Sequence, residues 1–262
     1  MSKYWHAFQL SFNREIAYRL NFVLGRLQRI AILITFYFLF SKLAEGGSFI
    51  GYTTVEILNY LLIAHVLTSF IFGGNASYLM AKEINDGTFS AYLTRPINYL
   101  AFAYFREWGA RLVTTVAGFF EVLVIMLLAK IPLILPNLKT LLVFLVLVFF
   151  AHITFFLISY SVSSLAFWSR EVAGPRFIFD WIAQYASGGL FPLTLLSKKI
   201  YSVLFFLPFT HMLYTPVALY LNKFGDSLKS VALVMILWFA FFCFFTPFLW
   251  RKGLKQYSGE GI

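Results

Sequence analysis

The sequence predicts an all-α integral membrane protein: six transmembrane helices, an amphipathic N-terminal interfacial helix, and a re-entrant or broken helical element before the last span. Three observations lead there. Of 262 residues, 60% are hydrophobic and only 12% are charged, against about 25% charged in a soluble domain. Apolar runs recur at lengths near the roughly 20 residues that a bilayer-crossing helix needs. Basic residues gather in alternate connecting segments, as the positive-inside rule expects. This composition excludes a disordered tail, a secreted disulfide scaffold and an ordinary cytosolic enzyme.

The chain opens with residues 1–23, in which Trp5, Phe8, Phe12, Ile16 and Arg19 recur at three- or four-residue steps and Lys3, Asn13 and Arg14 fall elsewhere. That spacing predicts an amphipathic helix along the inner membrane surface, with a generic basic anchor as the alternative. It lacks a short apolar core followed by a small-residue cleavage site, so the first span is expected to act as an uncleaved anchor. Apolar runs follow at Leu24–Leu43, Ile57–Met80, Leu112–Ala129, Leu138–Phe167 and Val231–Trp250. A weaker run, Phe177–Leu196, holds Asp180 and Ser187-Gly188-Gly189, and another, Tyr201–Leu221, is interrupted by Pro208 and Pro216.

Charge decides how many of these cross. With six spans and both termini cytoplasmic, all ten arginines and four lysines lie inside, leaving seven lysines outside. A crossing at Tyr201–Leu221 would move Arg251, Lys252 and Lys255 outside. The region 197–226 is therefore read as a re-entrant element, which membrane depth tolerates when broken backbone packs on protein or faces water. The net charge of +10 thus reads as topology and not as nucleic-acid affinity.

The expected cytoplasmic loop 81–105 is long enough for short helices and too short for a domain. Lys82-Glu83-Ile84 extends the second span, Gly87 is a stop, Thr88 is an expected N-cap for a new short helix, and Pro96 ends it. A docking surface and a solvated connector both fit this pattern. Phosphate-loop, dinucleotide and HExxH motifs are absent, so an ATPase, if one drives this chain, is another polypeptide. Cys243 is the single cysteine, and His6, His65, His152 and His211 are scattered. No metal site and no catalytic set is expected.

Ionisable residues inside spans cost about 2.5–3.5 kcal/mol each on insertion scales and so face protein or water. Glu121 reads either as a contact for a cationic substrate group or gate, or as a hydrogen-bonded packing residue. His65 and His152 are expected to be satisfied by neighbouring Ser or Thr, with membership of a proton relay as the alternative. Asp180 is expected to pair with Arg176 at i,i+4. Ser69, Gly73 and Ser77 form a small-residue stripe that suits close helix approach.

Read together, Glu83-x-x-x-Gly87-Thr88 and Leu93-x-Arg95-Pro96 resemble the first cytoplasmic loop of ABC-2 type permeases, in a six-span branch without a fused ATPase. Phe167-Trp168, Ser187-Gly188-Gly189-Leu190-Phe191-Pro192-Leu193, Leu207-Pro208-Phe209, Tyr214-Thr215-Pro216 and Trp250-Arg251-Lys252-Gly253 extend the resemblance in order along the chain. Lys198-Lys199 departs from it, standing where the branch would carry a second proline. The resemblance implies a permease subunit of an ATP-driven exporter in a bacterial inner membrane. It implies cytoplasmic ABC ATPase subunits, which would bind ATP and Mg, and a second permease, identical or paralogous. Glu83, Gly87, Thr88, Arg95 and Pro96 would then belong to the coupling region. Glu121, His65, Pro208 and Pro216 are candidates for the substrate path or gate. An ATP-independent transporter or channel is the alternative.

Overall fold

Polar residues punctuate the apolar runs and set where helices begin. Thr53 and Glu56 form a reciprocal capping box, with the Thr53 amide donating to the Glu56 carboxylate at 2.8 Å. Asn98 and Asn137 cap two more helices by accepting from the amides of Ala101 and Thr140, at 3.1 and 2.8 Å. The computed structural model describes residues 2–44, 48–49 and 51–257. Its elements are α1 (Ser2–Ala17), α2 (Arg19–Leu43), a two-residue hairpin of β1 (Ser48–Phe49) and β2 (Tyr52–Thr53), α3 (Thr54–Ile71), α4 (Ala76–Asn85) and α5 (Ser90–Leu93). There follow α6 (Tyr99–Ala129), α7 (Leu138–Ser163) with a 3-10 turn to Phe167, α8 (Ala173–Ala186), α9 (Lys198–Phe205), α10 (Tyr214–Tyr220) and α11 (Leu228–Gln256).

Five segments are long and apolar enough to cross a bilayer: Arg19–Leu43, Thr54–Asn85, Tyr99–Ala129, Leu138–Phe167 and Leu228–Gln256. The broken element is also present: the pair Lys198–Phe205 and Phe209–Tyr220 bends by 84° at Leu207-Pro208, and counts as a sixth span if taken as one. The fold is thus an all-α membrane protein, as the composition indicates.

The α3 and α7 helices form the interior, with Ile57, Tyr60, Leu61 and Phe155 buried among Leu213 and Tyr214 of the α10 region. A second cluster, Met80, Ile84, Phe89, Tyr99, Tyr160 and Phe167, closes the end that carries α5 and the last turn of α11. We term this the basal end. The hairpin and α9–α10 lie at the distal end, where Lys223 bridges Glu56 at 3.0 Å.

Several expectations need correction. The run Phe177–Leu196 is not one helix: α8 stops at Ala186, where Ser187-Gly188-Gly189 and then Pro192 turn the chain. Its 14 residues cover about 21 Å, short of the ~30 Å hydrocarbon core. The second span is broken between α3 and α4 at residues 72–75. That break separates Ser69, which faces Gly118 of α6, from Ser77, which meets Ser159 of α7 at 3.0 Å. The expected single small-residue stripe is therefore two half-stripes on different neighbours.

In α1 the face that packs on protein is a different one from the Trp5–Phe12–Ile16 stripe expected along the membrane surface. Ala7 and Ser11 are buried against α6 near Gly109, while Tyr4 stacks on Phe105. The Trp5–Phe12–Ile16 stripe flanks that seam, and Trp5 and Ile16 stay over half exposed (55% and 54%). One face thus meets protein, a second is apolar and open, and a third is polar.

Candidate functional site

The basal end is organised around Glu83, at the last turn of α4. Its carboxylate accepts from Arg106 at 2.6 and 3.3 Å, from the Tyr99 hydroxyl at 2.5 Å and from the Tyr92 hydroxyl at 3.2 Å. Burial, with the Glu83 carboxylate adding to it, raises the Tyr92 phenol above its ordinary pKa and keeps it a donor. Gly87 reverses the chain at φ +73°, a conformation costly for any residue with a Cβ. Its carbonyl accepts from the Tyr257 hydroxyl at 2.8 Å and from Ser90 Oγ at 2.7 Å. Phe89 is fully buried, with its ring 4.9 to 5.9 Å from those of Tyr99, Tyr257, Trp250 and Phe167.

The far side of the same loop is tied to α1. Lys3 Nζ donates to the Pro96 carbonyl at 2.5 Å, and the Asn98 amide to the Tyr4 hydroxyl at 3.4 Å. Pinned on both flanks, the α5 element points Ala91, Leu93, Thr94, Arg95 and Pro96 outward. Leu93 is 53% exposed, and the Arg95 guanidinium lies 6.0 Å from the Tyr92 ring.

The five residues expected in the coupling region thus divide. Glu83 and Gly87 fold the element from within; Thr88, Arg95 and Pro96 lie on its surface. Thr88 is not an N-cap: its hydroxyl donates back to the Glu83 carbonyl at 3.3 Å, and α5 begins two residues later.

The helix break above this platform is held by two residues that sequence reasoning missed. Arg111 donates to the carbonyls of Phe70 and Ile71, at 3.0 Å to the latter, and to Glu107 at 2.9 Å. Glu107 in turn accepts from the Ala76 amide at 2.8 Å. One i,i+4 pair on α6 therefore caps the C-terminus of α3 and the N-terminus of α4, and each charge has the sign the helix end favours. A Cβ on Gly74 would lie 1.6 Å from a Glu107 carboxylate oxygen, so the close approach requires glycine. The available signals were Gly73-Gly74 inside an apolar run and the Glu107-x-x-x-Arg111 spacing.

Deeper in the bundle, Glu121 and His65 are brought together. His65 Nε2 lies 2.7 Å from the Glu121 carboxylate. Arg26 of α2, not anticipated as a partner, grips that carboxylate in a bidentate pair, 2.6 Å from Nε, and donates to Ser69 at 3.1 Å. Glu121 is thus already paired within the chain, and His65 is satisfied by carboxylate in place of Ser or Thr. His152 likewise departs from expectation: it meets the Tyr104 hydroxyl at 3.3 Å within an aromatic surround of Phe70, Tyr104 and Trp108. Arg176 pairs with Asp180 at 3.3 Å as the spacing suggests, and also donates to Ser77 and Ser163. Pro208 and Pro216 stand apart from this network. Pro208 sits at the α9–α10 bend beside Met212, Met235 and Trp238. Pro216 is buried in the first turn of α10, where a missing amide costs no helical hydrogen bond.

The chain matches the family described as ABC-2 family transporter protein over residues 27–261. It belongs to that family. No curated protein matches it. As an ABC-2 family member it is a membrane permease component of an ABC transport system. The matched span covers the Glu83–Pro96 element, the helix break, Glu121 and His65, while α1 and Arg26 precede it.

This ABC-2 permease has one further feature at membrane depth. Between α2 and α8 runs a cavity of about 350 Å3, walled by Arg29, Ile32, Phe36, Asp180, Trp181 and Gln184. A deeper part reaches His65 and Thr68 on α3. One turn above the neutralised Arg26, Arg29 faces this cavity with no hydrogen bond or ion pair among the described residues.

Proposed function

We propose that this permease is the transmembrane subunit of an ATP-driven exporter in a bacterial cytoplasmic membrane, with both termini and the basal end cytoplasmic. A separate ABC ATPase pair binds ATP and Mg2+, and a second permease, identical or paralogous, completes the complex. The cargo is a hydrophobic or amphipathic molecule: a drug, a peptide, a lipid or a glycan precursor.

The basal element carries this reading. A four-residue helix pinned to α1, α4, α6 and α11 is a stiff lever, and it exposes an apolar side chain beside a cation. An apolar and cationic knob of this kind fits a groove on a soluble partner. Because Glu83 and Phe89 join it to α6, α7 and α11, a push on the knob moves several spans together.

The test is recovery of the tagged, full-length chain from its native membrane. An ATPase chain that co-purifies, and is lost on Leu93→Asp or Arg95→Ala while the permease stays folded, supports the reading. Full activity without an ATPase ends it. Labelling of a C-terminal cysteine from outside intact cells would overturn the orientation.

A further inference from the structure

We infer that the cavity between α2 and α8 is a binding site for the anionic head group of an amphiphile, with Arg29 as the anchoring cation and Phe36, Trp181 and Tyr185 flanking the tail.

Charge accounting at this depth leads to that ligand. Arg26, Arg29 and Arg176 bring three positive charges; Glu121 and Asp180 bring two negative ones. Arg26 is matched by Glu121, which also holds His65, and Arg176 is matched by Asp180. Arg29 is left without a hydrogen bond or ion pair among the described residues, on a helix apolar enough to cross a bilayer. An uncompensated cation there is costly, and an anion from outside the chain removes the cost. The guanidinium fork suits phosphate or carboxylate, and Gln28 and Gln184 beside it add amide donors.

The walls select for an amphiphile over a free anion. Phe36 from α2 and Phe177, Trp181 and Tyr185 from α8 surround the polar strip, and Trp181 stacks on Tyr185 at 5.4 Å. Phe177, Trp181 and Tyr185 are each about half exposed or more (63%, 47% and 47%). The site therefore opens sideways, where a lipid-like molecule arrives tail and head together. Asp180 is the one acid on the wall among the described residues, and its bond to Arg176 keeps it from neutralising Arg29.

The assignment rests on the exporter reading only in treating the amphiphile as cargo. The test is tryptophan quenching in phosphatidylcholine nanodiscs holding the full-length permease, comparing brominated phosphatidylglycerol with brominated phosphatidylcholine at equal mole fraction. Stronger quenching by the anionic lipid is expected. Trp181→Phe should abolish the excess, Arg29→Gln should weaken it about tenfold, as loss of a charge-assisted bond implies, and Arg29→Lys should keep most of it. Equal quenching by both lipids, the result if a second copy of the chain covers the cavity, overturns the site. So does an excess that survives Trp181→Phe, a variant that stays informative if Arg29→Gln folds poorly.

Dodecyl phosphate then separates the sources. Displacement of the brominated lipid marks an exchangeable cargo, and no displacement marks a resident lipid; both uphold the anionic site. Quenching needs no ATPase. Failure here with an ATPase still bound overturns the site alone, and sound quenching with no ATPase partner overturns the exporter reading alone.

Discussion

The basal half of α6 and the α2–α8 cavity treat arginine in opposite ways. Arg106 and Arg111 are 7% and 0% exposed, and each is locked to a glutamate that also serves a backbone or hydroxyl donor. Arg29 faces a cavity without a partner among the described residues. The same side chain thus builds structure in one place and leaves an open valence in the other. Buried pairs cost heavily when broken, whereas an unpaired charge contributes nothing to folding and can be removed freely.

The sharpest way to break this contrast is Arg111→Met. It strips the caps from α3 and leaves Glu107 charged and buried, with an expected loss of about 3–5 kcal/mol. The purified variant should lose its monodisperse peak or melt far below the parent. A melting temperature equal to the parent's would mean that the helix break does not depend on the pair. Gly87→Ala comes next. Forcing a Cβ into φ +73° costs about 1–2 kcal/mol, and the displaced loop should release its hold on Tyr257. Hydrogen exchange over residues 86–96 should accelerate while exchange in α3 and α7 stays as it was.

Much of the membrane architecture was legible in the sequence, and the parts that were not share a cause. Apolar runs, the Pro208 bend, the Gly87 turn and the Arg176–Asp180 pair are all local, set within a few residues of one another. Arg26, His65 and Glu121 are spread over 95 positions, and no periodicity connects them. Counting every arginine toward loop topology hid the point: Arg26, Arg106, Arg111 and Arg176 sit in helices as buried members of ion pairs. The break at residues 72–75 is hidden in the local sequence because a broken helix inside a bilayer needs caps from elsewhere, and Glu107 and Arg111 lie some thirty to forty positions on. The α8 helix ends early for a tertiary reason as well, since the chain after it turns back to lodge against Tyr60 and Tyr214 of other elements.

A smaller effect tests whether the basal platform is one unit. The Tyr257 hydroxyl accepts from the Ser90 amide at 3.1 Å and donates to Gly87. Tyr257→Phe keeps the ring among Phe89 and Phe167 and removes only those bonds, so a loss of about 1 kcal/mol is expected. If exchange rises in residues 86–93 alone, the C-terminal turn of α11 acts as a latch on the α5 element. If it rises throughout α4 and α6 as well, the Glu83 network depends on that latch.

Arg29→Gln should show the least effect on folding and therefore tests the other side of the contrast. In phosphatidylcholine nanodiscs, free of anionic lipid, the substitution removes a charge that no described residue holds in a hydrogen bond or ion pair. Its stability is expected to stay within the range of about ±0.5 kcal/mol typical of sites outside the packed core, or to rise, which leaves the melting temperature near or above the parent's. Arg26→Gln under the same conditions leaves Glu121 with His65 alone and should melt lower. A loss at Arg29 as large as at Arg26 would mean that Arg29 has a partner within the folded chain, and the cavity would then be a structural seam. An unchanged stability together with a changed response to anionic amphiphiles separates the two arginines by role, although they lie one helical turn apart on the same span.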